Sequence, residues 1–159
     1  MIRAVLAVCL AVALLGVALP AVEDASRDHS AAVADAELTR LRATIADLAA
    51  TDAALPADSA GARRLVTLRL PTPDLAAAPV AYLAVGGVPG TASDDTSAGG
   101  STRLAYRLQG GQPQTISVPV DLRTPDGDPL VLRRAGRHRL RVRLFAADAG
   151  VAVRVERAE

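Results

Sequence analysis

The chain has 159 residues, half of them apolar, and 18 basic against 17 acidic side chains leave a formal net charge of +1. Tyr82, Tyr106 and Phe145 are the only aromatic residues, which excludes a surface that stacks nucleic-acid bases on rings, so no nucleic-acid partner is expected. Cys9 is the single cysteine, so no internal disulfide can form and the core must be built from Ala, Val, Leu and Ile.

All of the basic residues are Arg, and the two signs of charge are segregated along the chain. Residues 21–59 hold three Arg against eight acids, a balance of −5, while residues 60–159 hold 14 Arg against nine acids, a balance of +5. An acidic segment and a basic one on the same chain attract each other.

The first predicted element is the uncharged run Ala4 to Val22, 19 residues bounded by Arg3 and Glu23. As a helix it would extend about 28 Å, close to the roughly 30 Å hydrocarbon core of a bilayer. Arg3 precedes the run and Glu23 and Asp24 follow it, so the positive-inside bias puts the amino terminus in the cytoplasm and the rest outside. Residues 1–22 are thus expected to be a single-pass membrane anchor with the C-terminal domain outside the cytoplasm. The alternative is a cleaved signal peptide and a secreted product, with Gly16 and Ala18 at the −3 and −1 positions, or a cut after Ala21 with the bulkier Leu19 at −3. Both outcomes export residues 23–159. Cys9 lies within the run and reads as a small apolar residue, since Val8 before it is too large for a lipoprotein acceptor site.

Residues 23–55 are predicted to form an amphipathic helix. Leu38, Leu41, Ile45 and Leu48 are spaced 3, 4 and 3 apart, which makes one narrow stripe, while Arg40, Arg42, Asp47 and Asp52 occupy the opposite side. The stripe holds fewer than three clean heptads, so it is expected to pack on the chain's own sheet, with a coiled-coil seam as the alternative. Pro20 removes an amide donor and is expected to kink or interrupt the helix. Pro56 and Gly61 close it, and residues 56–63 form a linker.

From residue 64 to residue 159 the period is two. Val66, Leu68 and Leu70 alternate with Leu65, Thr67 and Arg69 until Pro71 and Pro73 end the strand. Val80 to Val85 stops at Gly86-Gly87, and the Gly, Ser, Thr and Asp of Val88 to Ser101 read as a loop. Strands Arg103 to Leu108 and Thr115 to Val120 are joined across Gly110-Gly111, and Thr124-Pro125-Asp126-Gly127 is a strong turn. A short strand, Leu130 to Leu132, precedes the clearest alternation in the chain, Leu140, Val142 and Leu144 against Arg139, Arg141 and Arg143. Ala147-Asp148-Ala149-Gly150 then makes a hairpin with Val151, Val153 and Val155. The expected fold class is α+β: an N-terminal apolar helix continuing into an amphipathic helix, then an antiparallel β domain of about six or seven strands. An immunoglobulin-like β-sandwich is the alternative.

The same alternation puts Arg139, Arg141 and Arg143 on one strand face, near Arg154 and flanked by Arg107 or Arg69. Such a ladder attracts anionic lipid, acidic polysaccharide or an acidic protein; its plain alternative is a solvated face that resists aggregation. His29 and His138 are too few for a zinc site, and turn chemistry accounts for Asp94-Asp95 and Asp126-Gly127-Asp128, so no metal or cofactor is expected. With no nucleophile elbow and no phosphate loop, the expectation is a protein without enzymatic activity.

The order of parts, a membrane helix with a nearby proline, an amphipathic continuation and a sheet, resembles the layout of type IV pilins and pseudopilins. Met1-Ile2-Arg3 offers no leader of the pilin type and the apolar run holds no Glu, so processing and filament assembly are not carried over. The stretches Gly61-Ala62-Arg63-Arg64-Leu65-Val66-Thr67-Leu68-Arg69-Leu70-Pro71, Val120-Asp121-Leu122-Arg123-Thr124-Pro125-Asp126-Gly127 and Gly136-Arg137-His138-Arg139-Leu140 are similar to an uncharacterised family of small exported haloarchaeal proteins. That resemblance implies an association with pilus-like secretion machinery. The expected role is a structural or assembly component of the cell envelope, accessory to a pilus-like or secretion apparatus. The alternative is an exported binding module that uses the arginine face or the 88–101 loop.

Overall fold

The computed structural model describes residues 2–52, 54, 63–73, 77–91, 101–147 and 150–158. One helix, α1, runs from Ile2 to Thr51 and is followed by β1 (Arg63–Leu70), β2 (Val80–Val85), β3 (Ser101–Leu108), β4 (Gln114–Arg123), β5 (Leu130–Leu132), β6 (Gly136–Ala147) and β7 (Gly150–Arg157). The fold is α+β. Pro20, expected to kink or interrupt the helix, lies inside α1 without interrupting it. One missing amide costs one backbone bond, and the apolar residues on both sides of Pro20 continue the helical pattern. Pro56 and Gly61 lie outside the described residues.

The seven strands form one sheet in the order β1-β6-β7-β4-β3-β2-β5. A single sheet with a helix against it replaces the two-sheet sandwich considered above. Every pair is antiparallel except β4 with β7, which run parallel from Asp121↔Ala152 to Arg123↔Arg154. This departs from the all-antiparallel expectation, and Pro119 sits where it arises. The first part of β4, Gln114 to Ser117, pairs with β3, whereas its last part, Asp121 to Arg123, pairs with β7, and Leu122 there also meets Ser101 of β3 across a register shift. Pro119, which has no N–H to give to a ladder, stands between the two. Two of the turns depend on glycine. Gly110 (φ 75°) allows the Gly111 N–H to reach the Leu108 carbonyl at 3.0 Å, and Gly127 (φ 79°) closes the turn onto Thr124 at 3.3 Å.

The sheet cannot be flat. Going through β2, β3, β4 and β7, five strand spacings separate β5 from β6, which would be about 24 Å in a plane. Yet only Arg133, Arg134 and Ala135 join Leu132 to Gly136, a length of about 14 Å when fully extended. The sheet therefore curls, and Arg157 of β7 reaches across to donate to the Val131 carbonyl of β5 at 2.6 Å. The second half of α1 fills the concave side, in contact with β1, β3, β4, β6 and β7. Leu38, Leu41, Ile45 and Leu48 are completely buried there among Leu68, Leu104, Leu122, Leu140 and Val153. The first part of α1 is the opposite case: its large apolar residues from Ile2 to Val22 are all exposed, and the helix is long and apolar enough to cross a membrane.

Candidate functional site

In β6, Leu140, Val142 and Leu144 enter the core, so the strand pleat turns Arg139, Arg141 and Arg143 to the outer, convex face. Arg139 and Arg141 are exposed and Arg143 is half-buried. Register adds what local spacing cannot. Arg143 is paired with Arg63 of β1 on one side and with Arg154 of β7 on the other, and Arg154 is paired in turn with Arg123 of β4. Four arginines therefore lie in a row across four adjacent strands, one about every 4.8 Å.

Like charges placed directly opposite one another repel, and the surrounding groups offset that cost. The guanidinium groups of Arg154 and Arg123 lie over the ring of Phe145, at 5.4 and 5.7 Å from its centroid. Phe145 belongs to the same outer face but is only 5% exposed, because the arginines cover it. Arg123 also donates to Asp121 at 3.3 Å, and Arg141 donates to Glu156 on β7 at 2.9 Å. Arg143 is engaged as well. Of the two flanking candidates, Arg69 pairs with Arg137 at the far end of β1. Arg107 belongs to β3, away from β6, and its Nε donates to the Gly111 carbonyl at 2.9 Å.

The acidic and basic parts of the chain meet at a clamp. Arg64, on the inward side of β1, donates to Asp47 and approaches Asp52 at 3.6 Å, which fastens the end of α1 to the edge of the sheet. The hydrogen bond that Arg64 donates to Asp47 holds its guanidinium above the ordinary pKa, with the charges of Asp47 and Asp52 adding to it. The apolar stripe of Leu38, Leu41, Ile45 and Leu48 is consumed by the core and presents nothing to a partner.

His29 is exposed on α1, and the His138 ring lies 2.6 Å from the Arg134 carbonyl. Among the described residues no three His, Cys, Asp or Glu gather as a metal site would require. Asp126-Gly127-Asp128 forms the turn itself, in which Thr124 donates to the Asp128 carbonyl at 2.6 Å. Asp94-Asp95 and residues 92–100 of the 88–101 stretch lie outside the described residues.

Sequence reasoning did not find Arg63, Arg123 or Phe145 as parts of this face. The local signal for Phe145 is the doublet Leu144-Phe145, which puts a large apolar residue on the side where arginines had alternated. Chemically, the face offers forked donors suited to carboxylates and phosphates.

Neither the curated proteins nor the solved structures contain a match to this chain. A family model described as a domain of unknown function, DUF7311, matches residues 1–158, and the chain belongs to that family.

Proposed function

We propose that the protein is a membrane-anchored structural or assembly component of the cell envelope, accessory to a pilus-like or secretion apparatus, with no catalytic role. One observation carries this reading: α1 is both the apolar span and, without a break, the filling of the sheet's concave side. An anchor of that kind holds the domain at a fixed height and orientation, because the domain cannot turn without bending the helix it is built on. Arg3 before the span and Glu23 and Asp24 after it favour a domain outside the cytoplasm. The pilin-like order of parts and the similarity to small exported haloarchaeal proteins support the same assignment.

The test is intact-mass analysis of the membrane fraction together with carbonate extraction. A retained anchor gives the full-length mass and resists extraction, since insertion is not screened by ions. A start near residue 19 or 22 would replace the anchor with a cleaved signal and a secreted domain. A cut at either place leaves intact the part of α1 that the sheet buries, from Ser30 to Leu48.

The row Arg63, Arg143, Arg154 and Arg123 favours a second reading, an exported module that binds acidic partners through its convex face. Arg139→Glu, Arg141→Glu and Arg143→Glu together should weaken binding to anionic vesicles, acidic polymers and apparatus subunits far more than they weaken folding. Unchanged binding would leave a solvated face and remove this reading.

A further inference from the structure

The contacts along α1 fix the height of each part of the sheet above the span. Asp47 meets Arg64, Glu37 meets Arg69, and Val33 shares a cleft with Pro71 and Gly136. Lower still, the Ser26 carbonyl accepts the Ala78 N–H at 3.3 Å, and Leu19 and Val22 lie beside Pro79 and Gln109. The end of the sheet nearest the apolar span is therefore the rim formed by Ala77 to Pro79, Pro71, Pro73 and the β5–β6 link. Ser26 is about 6 Å above Val22 and Val33 about 17 Å, while the headgroup layer is about 5 to 8 Å thick.

Arginines gather on this rim. A slot of about 210 Å³ has walls of Leu70, Pro71, Pro73, Pro79 and Val80, with Arg133 at its edge. Beside it, sharing Leu70 and Pro71, a cleft of about 310 Å³ carries Arg69 and Arg137. Among the described residues no acid lines either one. Pro79 belongs both to the slot with Arg133 and to the surface against Leu19 and Val22, so one continuous surface leads from the end of the span to the arginines. Arg133, Arg134 and Arg137 are all exposed and make no ion pair with a described residue. Arg27 in the neck, by contrast, is already held by Glu23 at 3.1 Å and Asp24 at 2.9 Å.

We propose that this rim docks on the headgroups of anionic phospholipids in the leaflet from which α1 emerges, with Arg133, Arg134 and Arg137 gripping the phosphates. The inference rests on the anchored reading above. Arg133, which shares the slot with Pro79 beside Leu19 and Val22, starts nearest the headgroups, and the guanidinium fork matches a phosphate in two places. The prolines give a dry wall without N–H donors, suited to the apolar part just below a headgroup. Each arginine near a charged surface shifts the docked-to-undocked ratio about fivefold, and salt weakens the effect.

The experiment uses the full chain with Cys9→Ala and Ala135→Cys, a spin label on residue 135, and vesicles of phosphatidylcholine with or without phosphatidylglycerol. Flotation with neutral vesicles reads the anchor, and immersion of the label reads the rim. Hydrogen exchange of the amides from Arg133 to Arg137 in the unlabelled chain is the second measurement. Flotation with both vesicle types, combined with immersion and amide protection only on the anionic ones, is the expected result. Arg133→Glu with Arg134→Glu and Arg137→Glu should abolish the immersion, while Arg42→Glu, on the exposed side of α1, should not. Equal immersion on both vesicle types, or immersion that survives the triple reversal, overturns the proposal and leaves the anchor standing. Failure to float with neutral vesicles but immersion on anionic ones overturns the anchor and supports the rim; flotation with neither overturns both.

Discussion

The carboxylate of Glu37, in the middle of α1, accepts a hydrogen bond from the backbone N–H of Arg69 on β1 at 3.3 Å. Among the described residues β1 is an edge strand, and this N–H points away from its strand partner, β6. A buried carboxylate there satisfies the donor and discourages a further strand from adding to the edge. Glu37→Ala is therefore expected to cost about 1 to 3 kcal/mol in urea unfolding, because the Arg69 N–H loses its acceptor. Glu37→Gln, which keeps an acceptor oxygen, should cost less than Glu37→Ala.

Leu41 and Ile45 test the stripe. Both are completely buried, so Leu41→Ala and Ile45→Ala should each cost about 2 to 5 kcal/mol by denaturant unfolding. Leu65, on the outer face of β1, is 69% exposed, and Leu65→Ala should change stability by less than about 0.5 kcal/mol. Similar losses at the two kinds of site would mean that the helix is not seated as described.

Tyr106 gives the protein a pH dependence at the alkaline end. Burial, and after it the charge of Asp35, holds its phenol above the ordinary tyrosine value. The folded protein thus keeps this proton more tightly than the unfolded chain, whose tyrosines titrate at about pH 10. The contribution is fully present below that pH and is lost as pH rises through the higher folded value. Urea midpoints measured above about pH 10 should fall less steeply for Tyr106→Phe than for the natural chain.

Phe145 should behave as part of the arginine face. Phe145→Leu keeps an apolar side chain but removes the ring beneath Arg123 and Arg154. A double-mutant cycle with Arg154→Met should give a coupling of about 0.5 to 2 kcal/mol, the range of a cation over an aromatic ring. A coupling of zero would mean that Arg154 merely lies near the ring.

Periodicity made much of this fold legible. The spacing of Leu38, Leu41, Ile45 and Leu48 is a helix signal, and the alternation from Arg139 to Leu144 is a strand signal, because both depend only on neighbours in sequence. What stayed hidden depends on distant partners. Nothing local to Asp121 or Arg123 says that β7 will lie beside them in parallel, and nothing local to Arg63 says that it will stand opposite Arg143. The arginine face was accordingly legible along β6 and across the final hairpin to Arg154, and illegible at Arg63 and Arg123. The curl was hidden for the same reason, since the shortness of the Arg133 to Ala135 link acquires meaning only once the strand order is known.

That strand order also has a consequence for biogenesis. β1 is the first strand to leave the ribosome, yet its only strand partner among the described residues is β6, the second to last. Throughout synthesis of β2 to β5 the stripe on α1 and the inner side of β1 have no closed sheet to cover them, and pairings so distant in sequence form slowly. A nascent chain with that much apolar surface uncovered is a natural client for a holding chaperone until the final hairpin arrives.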